Sequence, residues 1–291
     1  MSPHRAHLNN VDFLPVVEAV MHQAGLNVAR DRWDIRKGGS AHWIINMENR
    51  LSVRVAKSPE LGAAVARRTE TLRRLPYDLS FEVPRPITRT ITRNGMTAVG
   101  LSWIKGEPHH SGQVSPRALA TILREIHSID YTGMEPYLDF PHQHWGGKDW
   151  VSVLRQDVVP KLLKSNQRIA LGLIDDVVDL EPATPVLIHN DLAGHNILWS
   201  GDKLAGVIDW DHACLADPAY DHATLGMSYG WEALRRALSP DEMERALVLS
   251  RTLALEAVAY SLKTGKGGAI VRLGVERADD WLYDFKNGVN P

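Results

Sequence analysis

The chain has 291 residues, 44% of them apolar and 23% charged, and carries a formal net charge of −2. That balance supports a sizeable packed core in one large domain or two lobes and excludes a disordered chain. The near-neutral charge argues against a general nucleic-acid binder.

In chain order, Phe13, Val16, Val17, Val20 and Met21 recur at helical spacing, which predicts a helix over 12–24 stopped by Gly25. Three strand-like runs follow, Trp33–Arg36, His42–Met47 and Leu51–Ala56, with Gly38-Gly39-Ser40 between the first two and Glu48-Asn49-Arg50 turning the second into the third. Ser58-Pro59-Glu60 supplies a capping hydroxyl, a first-turn proline and an acid, so a helix starts there and should run to about Leu75. Pro84 and Pro86 break the chain before strands near Ile87–Thr92 and Met96–Trp103. The first hundred residues therefore read as a five-stranded antiparallel sheet with one packed helix.

After Gly106 the pattern turns helical. Ser115-Pro116 opens a helix with Leu119, Ile122, Leu123 and Ile126 inward, and helices are expected over 149–164 and 168–180. A strand-and-loop insert at 186–210 comes next. From about 218 the chain should be helical nearly to its end, with Leu247, Leu253, Leu255, Val258 and Leu262 in the core. The expectation is an α+β chain in two lobes, a β-rich one over 1–104 and a larger helical one over 105–291.

The insert carries the chemistry. It reads Ile188-His189-Asn190-Asp191-Leu192-Ala193-Gly194-His195-Asn196-Ile197-Leu198, then Ile208-Asp209-Trp210-Asp211. An Asp followed five positions later by Asn has the spacing of a kinase catalytic loop. Phosphoryl transfer needs a carboxylate to accept the proton of the attacking hydroxyl, and an amide and a second carboxylate to hold the metal that bridges the nucleotide phosphates.

With Asp217-Pro218 and Asp221 behind it, this stretch resembles the aminoglycoside phosphotransferase family, which includes macrolide, choline and homoserine kinases and shares the protein-kinase fold. The family pattern runs H-G-D-x-x-x-x-N-x-L, I-D-W/F, D-P-x-x-D, and Asn190 stands here where Gly is usual. The resemblance implies Asp191 as catalytic base, Asn196 and Asp209 as Mg²⁺ ligands, ATP or GTP as phosphate donor, and Asp217 and Asp221 pinning the loop and the next helix.

Three features of the first lobe gain meaning beside that resemblance. Arg54, in Val53-Arg54-Val55, occupies the strand where protein kinases carry Lys paired to a Glu of the next helix, and Glu70 lies 16 residues on. The pair is expected to orient on the α- and β-phosphates; Arg would grip them bidentately. Members of the family often carry Arg there. Lys57 is the rival cation, on the opposite face by alternation. Gly38, Gly39 and Ser40 could cover phosphates with their amides and hydroxyl. Leu101–Glu107 resembles the interlobe hinge, with backbone around Ser102–Ile104 expected to hydrogen-bond the purine.

Charge divides unevenly: residues 1–104 hold 15 Lys and Arg against 9 Asp and Glu (+6), and residues 105–291 hold 18 against 26 (−8). A basic front half suits a nucleotide and an acidic back half a cationic acceptor, with Asp211, Asp157 and Glu256 as candidate acids. The expected activity is Mg²⁺-dependent transfer of a nucleotide γ-phosphate to a hydroxyl of a small, amine-bearing molecule such as an aminoglycoside. A macrolide is the close rival, because 53–57 is similar to that subgroup's V-L-R-x-P-R strand, although macrolide kinases commonly carry His at the position of Asn196. Choline- and homoserine-like kinases and a non-catalytic pseudokinase are further alternatives. A protein kinase is disfavoured: Asp191 lacks a preceding Arg, and 209–217 leaves no room for an activation loop.

The single cysteine, Cys214, excludes an intrachain disulfide and fits a reducing, cytoplasmic setting; it reads as a small buried hydrophobe. Met1–Arg5 leads into no apolar signal core and no run of 18 apolar residues occurs, so no membrane association is expected, nor is a nucleic-acid or obligate protein partner. His142-Gln143-His144 lacks a third spaced ligand and reads as a solvated loop, as does His109-His110. Trp145, Trp150, Trp231 and Trp281 read as core before cleft.

Overall fold

The computed structural model describes residues 13–36, 42–109 and 114–289. The chain forms two compact units. One takes Met1–Pro108, Pro136–Leu138 and Asn196–Asp211; the other takes His109–Glu135, Asp139–His195 and His212–Pro291. The division thus differs from a single cut at 104/105, because the 196–211 segment returns to the first unit.

The first unit is built on a five-stranded antiparallel sheet among the described residues, ordered β1-β2-β3-β5-β4. Its strands are β1 (Trp33–Arg36), β2 (His42–Met47), β3 (Leu51–Ala56), β4 (Ile91–Arg93) and β5 (Met96–Ser102). The fourth strand begins at Ile91 rather than Ile87, because Ile87 and Thr88 spend their amides on Gly100 O as part of the loop that follows the prolines. Alternation along β3 sorts its side chains. Val53 and Val55 join Ile45, Met47 and Ala98 against Val16, Val17 and Val20 of helix α1 (Leu14–Gln23) and Phe13 just before it. Arg54 points to the other face, where helix α2 (Pro59–Arg74) lies with Val65 and Leu72 turned in. Ser58 Oγ caps α2 by accepting the Leu61 amide at 3.4 Å, with Pro59 in the first turn as expected.

A second, three-stranded sheet completes this unit: β6 (Glu107–Pro108), β8 (Ile197–Ser200) and β9 (Lys203–Val207), in the order β6-β8-β9. Strand β9 is strapped to the 82 segment by Glu82 N to Ala205 O and Val207 N to Glu82 O, each 2.9 Å. Gly206 permits that approach, since a Cβ there would lie 2.7 Å from Glu82 O.

The other unit is mainly helical: α3 (Pro116–His127), α4 (Trp150–Val153), α5 (Lys164–Val178), α6 (Ala219–Tyr229), α7 (Trp231–Arg235), α8 (Pro240–Lys263) and α9 (Gly268–Lys286), with the short ladder β7 (Val186–Ile188) and β10 (Cys214–Ala216). The single helix expected over 149–164 is replaced by α4, a widened turn over Leu154–Val158 and a tight turn over Val159–Lys161. Pro160 has no amide to donate there and so cannot continue a regular helix. Helix α8 starts in a capping box, in which Ser239 Oγ accepts the Glu242 amide and the Glu242 carboxylate accepts the Ser239 amide. Leu255 and Val258 of α8 are fully buried with Leu154, Val158, Ile174 and Leu282, while Leu253 and Leu262 pack at the margins. No helix of the described residues is long and apolar enough to cross a membrane.

Candidate active site

The motif residues fall in both units. In the helical unit, strand β7 delivers the chain into Asn190-Asp191. Asn190 has φ +61°, a left-handed backbone that Gly adopts without cost and that Asn tolerates better than most side chains. That accounts for Asn where the resembled pattern has Gly. The loop is pinned by Asp221, at the start of α6 and fully buried: its Oδ2 accepts the His189 amide at 2.9 Å and its Oδ1 the Asn190 amide at 2.9 Å. His127 Nε2 lies 3.2 Å from the same Oδ2. Burial opposes charge on Asp221, but the His127 bond and charge and the His189 amide outweigh it and hold the carboxyl below its ordinary range. Farther along, Ser228 Oγ accepts the Gly194 amide at 3.0 Å and Tyr229 Oη donates to Gly194 O at 3.4 Å. Asp191 thus sits half-buried in a loop anchored before and after it. Asp217 accepts the Ala219 amide at 3.0 Å and the Arg245 Nε at 2.7 Å, tying the start of α6 to α8.

In the sheet-bearing unit, the antiparallel register of β8 and β9 pairs Ile197 with Val207, which sets Asn196 beside Ile208 and Asp209. The Ile208 amide donates to Asn196 O at 2.9 Å. Asn196 is buried, whereas the Asp209 side chain is 45% exposed. Asp209 also has a left-handed backbone, φ +62°, a local strain of the kind that collects at functional sites.

Arg54 meets this hairpin from β3. Its two terminal nitrogens fork onto Asp211 at 2.6 Å each, and one of them also reaches Asp209 Oδ1 at 3.0 Å. Arg68 of α2 adds a second guanidinium to Asp211 at 2.8 Å. Two arginines balance two aspartates there, with Asp211 buried and Asp209 at the exposed edge. Burial opposes the Arg54 charge, but Asp211 and Asp209 raise its pKa above the ordinary value. His42, with Nδ1 3.8 Å from Asp211, is pushed down to about 3 by burial and then by Arg54, so it stays neutral.

The expected Arg54–Glu70 pair does not form. Glu70 bonds instead to Arg74 at 2.6 Å and Arg73 at 3.2 Å on its own helix and is 39% exposed. The reason is helical phase. Val65 and Leu72 define the inward stripe of α2; Arg68, three residues past one and four before the other, shares it, and Glu70 does not. Arg68 gives no signal in the sequence because its partner Asp211 lies 143 residues away, and Asp211, expected as a substrate acid, is the counter-ion of both arginines.

Of the hinge pair, Ser102 is spent on Arg85: its amide donates to Arg85 O at 2.8 Å and its Oγ accepts the Arg85 amide at 2.8 Å. The Ser102 amide is therefore not available to a purine. Ile104 is buried past the end of β5, against Gly206. Gly38, Gly39 and Ser40 lie outside the described residues.

The other two acids proposed for a cationic acceptor are also engaged. Asp157 bonds Lys263 Nζ at 2.7 Å, and Glu256 is buried, accepts Thr252 Oγ1 at 2.8 Å, and is pushed up to about 7 by burial. Cys214 is fully buried, and burial raises its thiol well above the ordinary range, as a small core residue should behave. Trp150 stacks on His142 with ring centres 4.6 Å apart, in a groove it shares with Phe140 and Lys148.

Residues 34–249 match the model of the Phosphotransferase enzyme family. Viomycin phosphotransferase from Streptomyces vinaceus is 25% identical over 250 residues, covering 78% of this chain and 86% of that protein. Homoserine kinase from Methylocella silvestris is 34% identical over 99 residues, covering 33% of this chain and 30% of that protein. The GDP complex of wild-type aminoglycoside 2'-phosphotransferase-IIIa superposes with a TM-score of 0.79 at 15% identity, over 94% of this chain and 99% of that one. The macrolide 2'-phosphotransferase MphH from Brachybacterium faecium gives 0.67 at 17% identity, over 90% and 97%. Since the family model spans most of its length and takes in the 189–221 motif, this chain belongs to the phosphotransferase enzyme family.

Proposed function

We propose that the protein transfers the γ-phosphate of ATP or GTP to a hydroxyl of an antibiotic-like small molecule, with Asp191 as the base. The observation that carries this reading is the doubly anchored catalytic loop: Asp221 spends both carboxylate oxygens on the backbone of the two residues that precede Asp191. Asp191 takes the acceptor's hydroxyl proton as that oxygen bonds to the γ-phosphorus and the nucleoside diphosphate leaves. Such catalysis rests mainly on positioning and charge neutralisation, which suits a rigid loop.

Asn196 and Asp209 offer an amide oxygen and a carboxylate from one hairpin, a hard, all-oxygen donor set that fits Mg²⁺. Asn196 and Asp209 would hold Mg²⁺, which would supply neutralisation of the charge on the nucleotide phosphates. Arg54 holds the nucleotide phosphates, exchanging its contact with Asp209 for theirs while Asp211, itself bonded by Arg68, keeps its guanidinium in place. The solved relatives bound to GDP or ADP support nucleotide binding.

The three acids expected to meet a polycationic acceptor give no preference for one, because Asp157 and Asp211 are ion-paired and Glu256 is buried with its pKa raised to about 7. The extent of the relatives favours an antibiotic over an amino acid: the viomycin phosphotransferase match covers 78% of the chain, the homoserine kinase match 33%. The test is a panel of viomycin, aminoglycosides, macrolides, homoserine and choline, each with Mg²⁺ and ATP or GTP, read as a mass gain of one phosphate. Phosphorylation of an antibiotic is expected. Phosphorylation of homoserine or choline alone would overturn the acceptor class, and nucleotide loss with no phosphorylated acceptor would overturn the kinase reading.

A further inference from the structure

Among the described residues, one cluster of metal-ligating side chains belongs to none of the roles above. Asp139, His144 and His212, all in the helical unit, each offer one ligand atom, and the three atoms lie within 4.8 Å of one another. His144 Nε2 is 2.8 Å from Asp139 Oδ2, and His212 Nδ1 is 3.9 Å from the same oxygen. The two imidazoles meet edge to face with centres 4.7 Å apart.

Backbone structure fixes all three. The Asp139 amide donates to Ala213 O at 2.9 Å, and Asp139 bridges to Cys214, so the acid is locked beside the residue that follows His212. The turn after Asp139 is closed by Gly147 N to His142 O at 2.7 Å and Trp145 N to His142 O at 2.9 Å, which brings His144 back over the acid. The Asp139 side chain is 1% exposed, while His144 and His212 are 22% and 24% exposed: a buried carboxylate with two imidazoles at the solvent edge.

We propose that Asp139, His144 and His212 form a zinc site of the two-histidine, one-carboxylate type, its fourth position taken by water. Adjacent donors of a tetrahedral site with bonds of about 2.0–2.1 Å lie about 3.4 Å apart. The two contacts to Asp139, 2.8 and 3.9 Å, bracket that value, and the three donors lie within 4.8 Å of one another, so binding needs side-chain adjustments and no rearrangement of the backbone. Two nitrogens and one oxygen select Zn²⁺ over Mg²⁺, which takes oxygen ligands. Bound zinc would staple the 139–147 turn to the segment that leads through β10 into α6. The inference is independent of the acceptor and of the kinase chemistry.

The test strips the full-length protein with a chelator, saturates it with Mg²⁺, and titrates Zn²⁺ by calorimetry, with Co²⁺ absorption and the melting temperature as second readouts. One Zn²⁺ per chain is expected, together with a visible Co²⁺ band of a four- or five-coordinate site and a rise in melting temperature. H144A and H212A should each weaken zinc at least tenfold and lose the Co²⁺ band and the thermal shift; H22A, on exposed α1 surface, should keep all three. No zinc uptake by the wild type, or a Co²⁺ spectrum without nitrogen ligation, would overturn the proposal without recourse to any variant. So would zinc binding unchanged in the double His variant.

Discussion

The arginine cluster beneath β3 and the Asp221 anchor beneath the catalytic loop each bury a carboxylate, and they satisfy it in opposite ways. Asp211 is held by two side-chain cations, with Asp209 sharing Arg54 at a partly exposed edge. Asp221 is held by two main-chain amides and one imidazole at zero exposure. Side-chain ion pairs can trade partners when an anion arrives; a carboxylate that caps a backbone turn cannot let go without unfolding the turn. The first arrangement suits a part that must engage and release phosphates, the second a part whose geometry must not change between turnovers. In our account the sheet-bearing unit grips the nucleotide and the helical unit supplies the base.

The largest way to break this contrast is at the base itself. Asp191→Asn should lower kcat by about 10²–10⁴ on the best acceptor, the usual worth of general-base catalysis, with an unchanged melting curve. Near-normal turnover would remove Asp191 from the chemistry.

Asp221→Ala comes next. It strands two buried amides and His127, so a loss of about 3–5 kcal/mol in urea unfolding is expected, along with most of the activity. A loss below about 1 kcal/mol would mean that the loop is held by something else.

A smaller effect separates a buried acid from both clusters. Glu256 has its folded pKa raised from 4.5 to about 7 by burial. The unfolded state therefore releases its proton first, and the native state is favoured fully below about pH 4.5 and loses that advantage as pH rises through 7. Relative to Glu256→Gln, the wild type should lose up to about 3 kcal/mol between pH 4.5 and 8. Parallel stability curves for the two proteins would contradict the assignment.

The smallest expected effect checks the corrected partner of Arg54. Glu70→Ala removes only surface pairs to Arg73 and Arg74, so stability should shift by less than about 0.5 kcal/mol and nucleotide affinity should hold. A tenfold loss of nucleotide affinity would restore Glu70 to the phosphate site.

Local signals carried the fold a long way. Short strand-like runs matched β1, β2 and β3 to the residue, and Ser-Pro pairs marked the starts of α2 and α3, because runs and caps are properties of neighbouring residues. What escaped was non-local or cumulative. Arg54 and Asp211 are 157 residues apart, and the spacing to Glu70 offered a nearer acid. Helical phase on α2 selects Arg68 over Glu70 as the inward residue. The irregular stretch near Pro160 looked helical by its apolar period, although a mid-segment proline argued otherwise. The 142–144 stretch shows no metal-ligand spacing because the neighbours of His144 lie at 139 and 212, five and 68 positions away in the sequence. In the site, Asn190 was noted as a departure, and its positive φ supplies the reason.

The division of labour between the two carboxylate arrangements can be measured in one experiment: nucleotide titration by calorimetry, with Mg²⁺, of the wild type, Arg54→Ala and Asp191→Asn. Arg54→Ala should raise the nucleotide Kd at least tenfold, in line with the ~1.5–3 kcal/mol worth of hydrogen bonds to charged groups. Asp191→Asn should leave it within about twofold of wild type. Equal losses in both variants, or a loss in Asp191→Asn alone, would contradict the account.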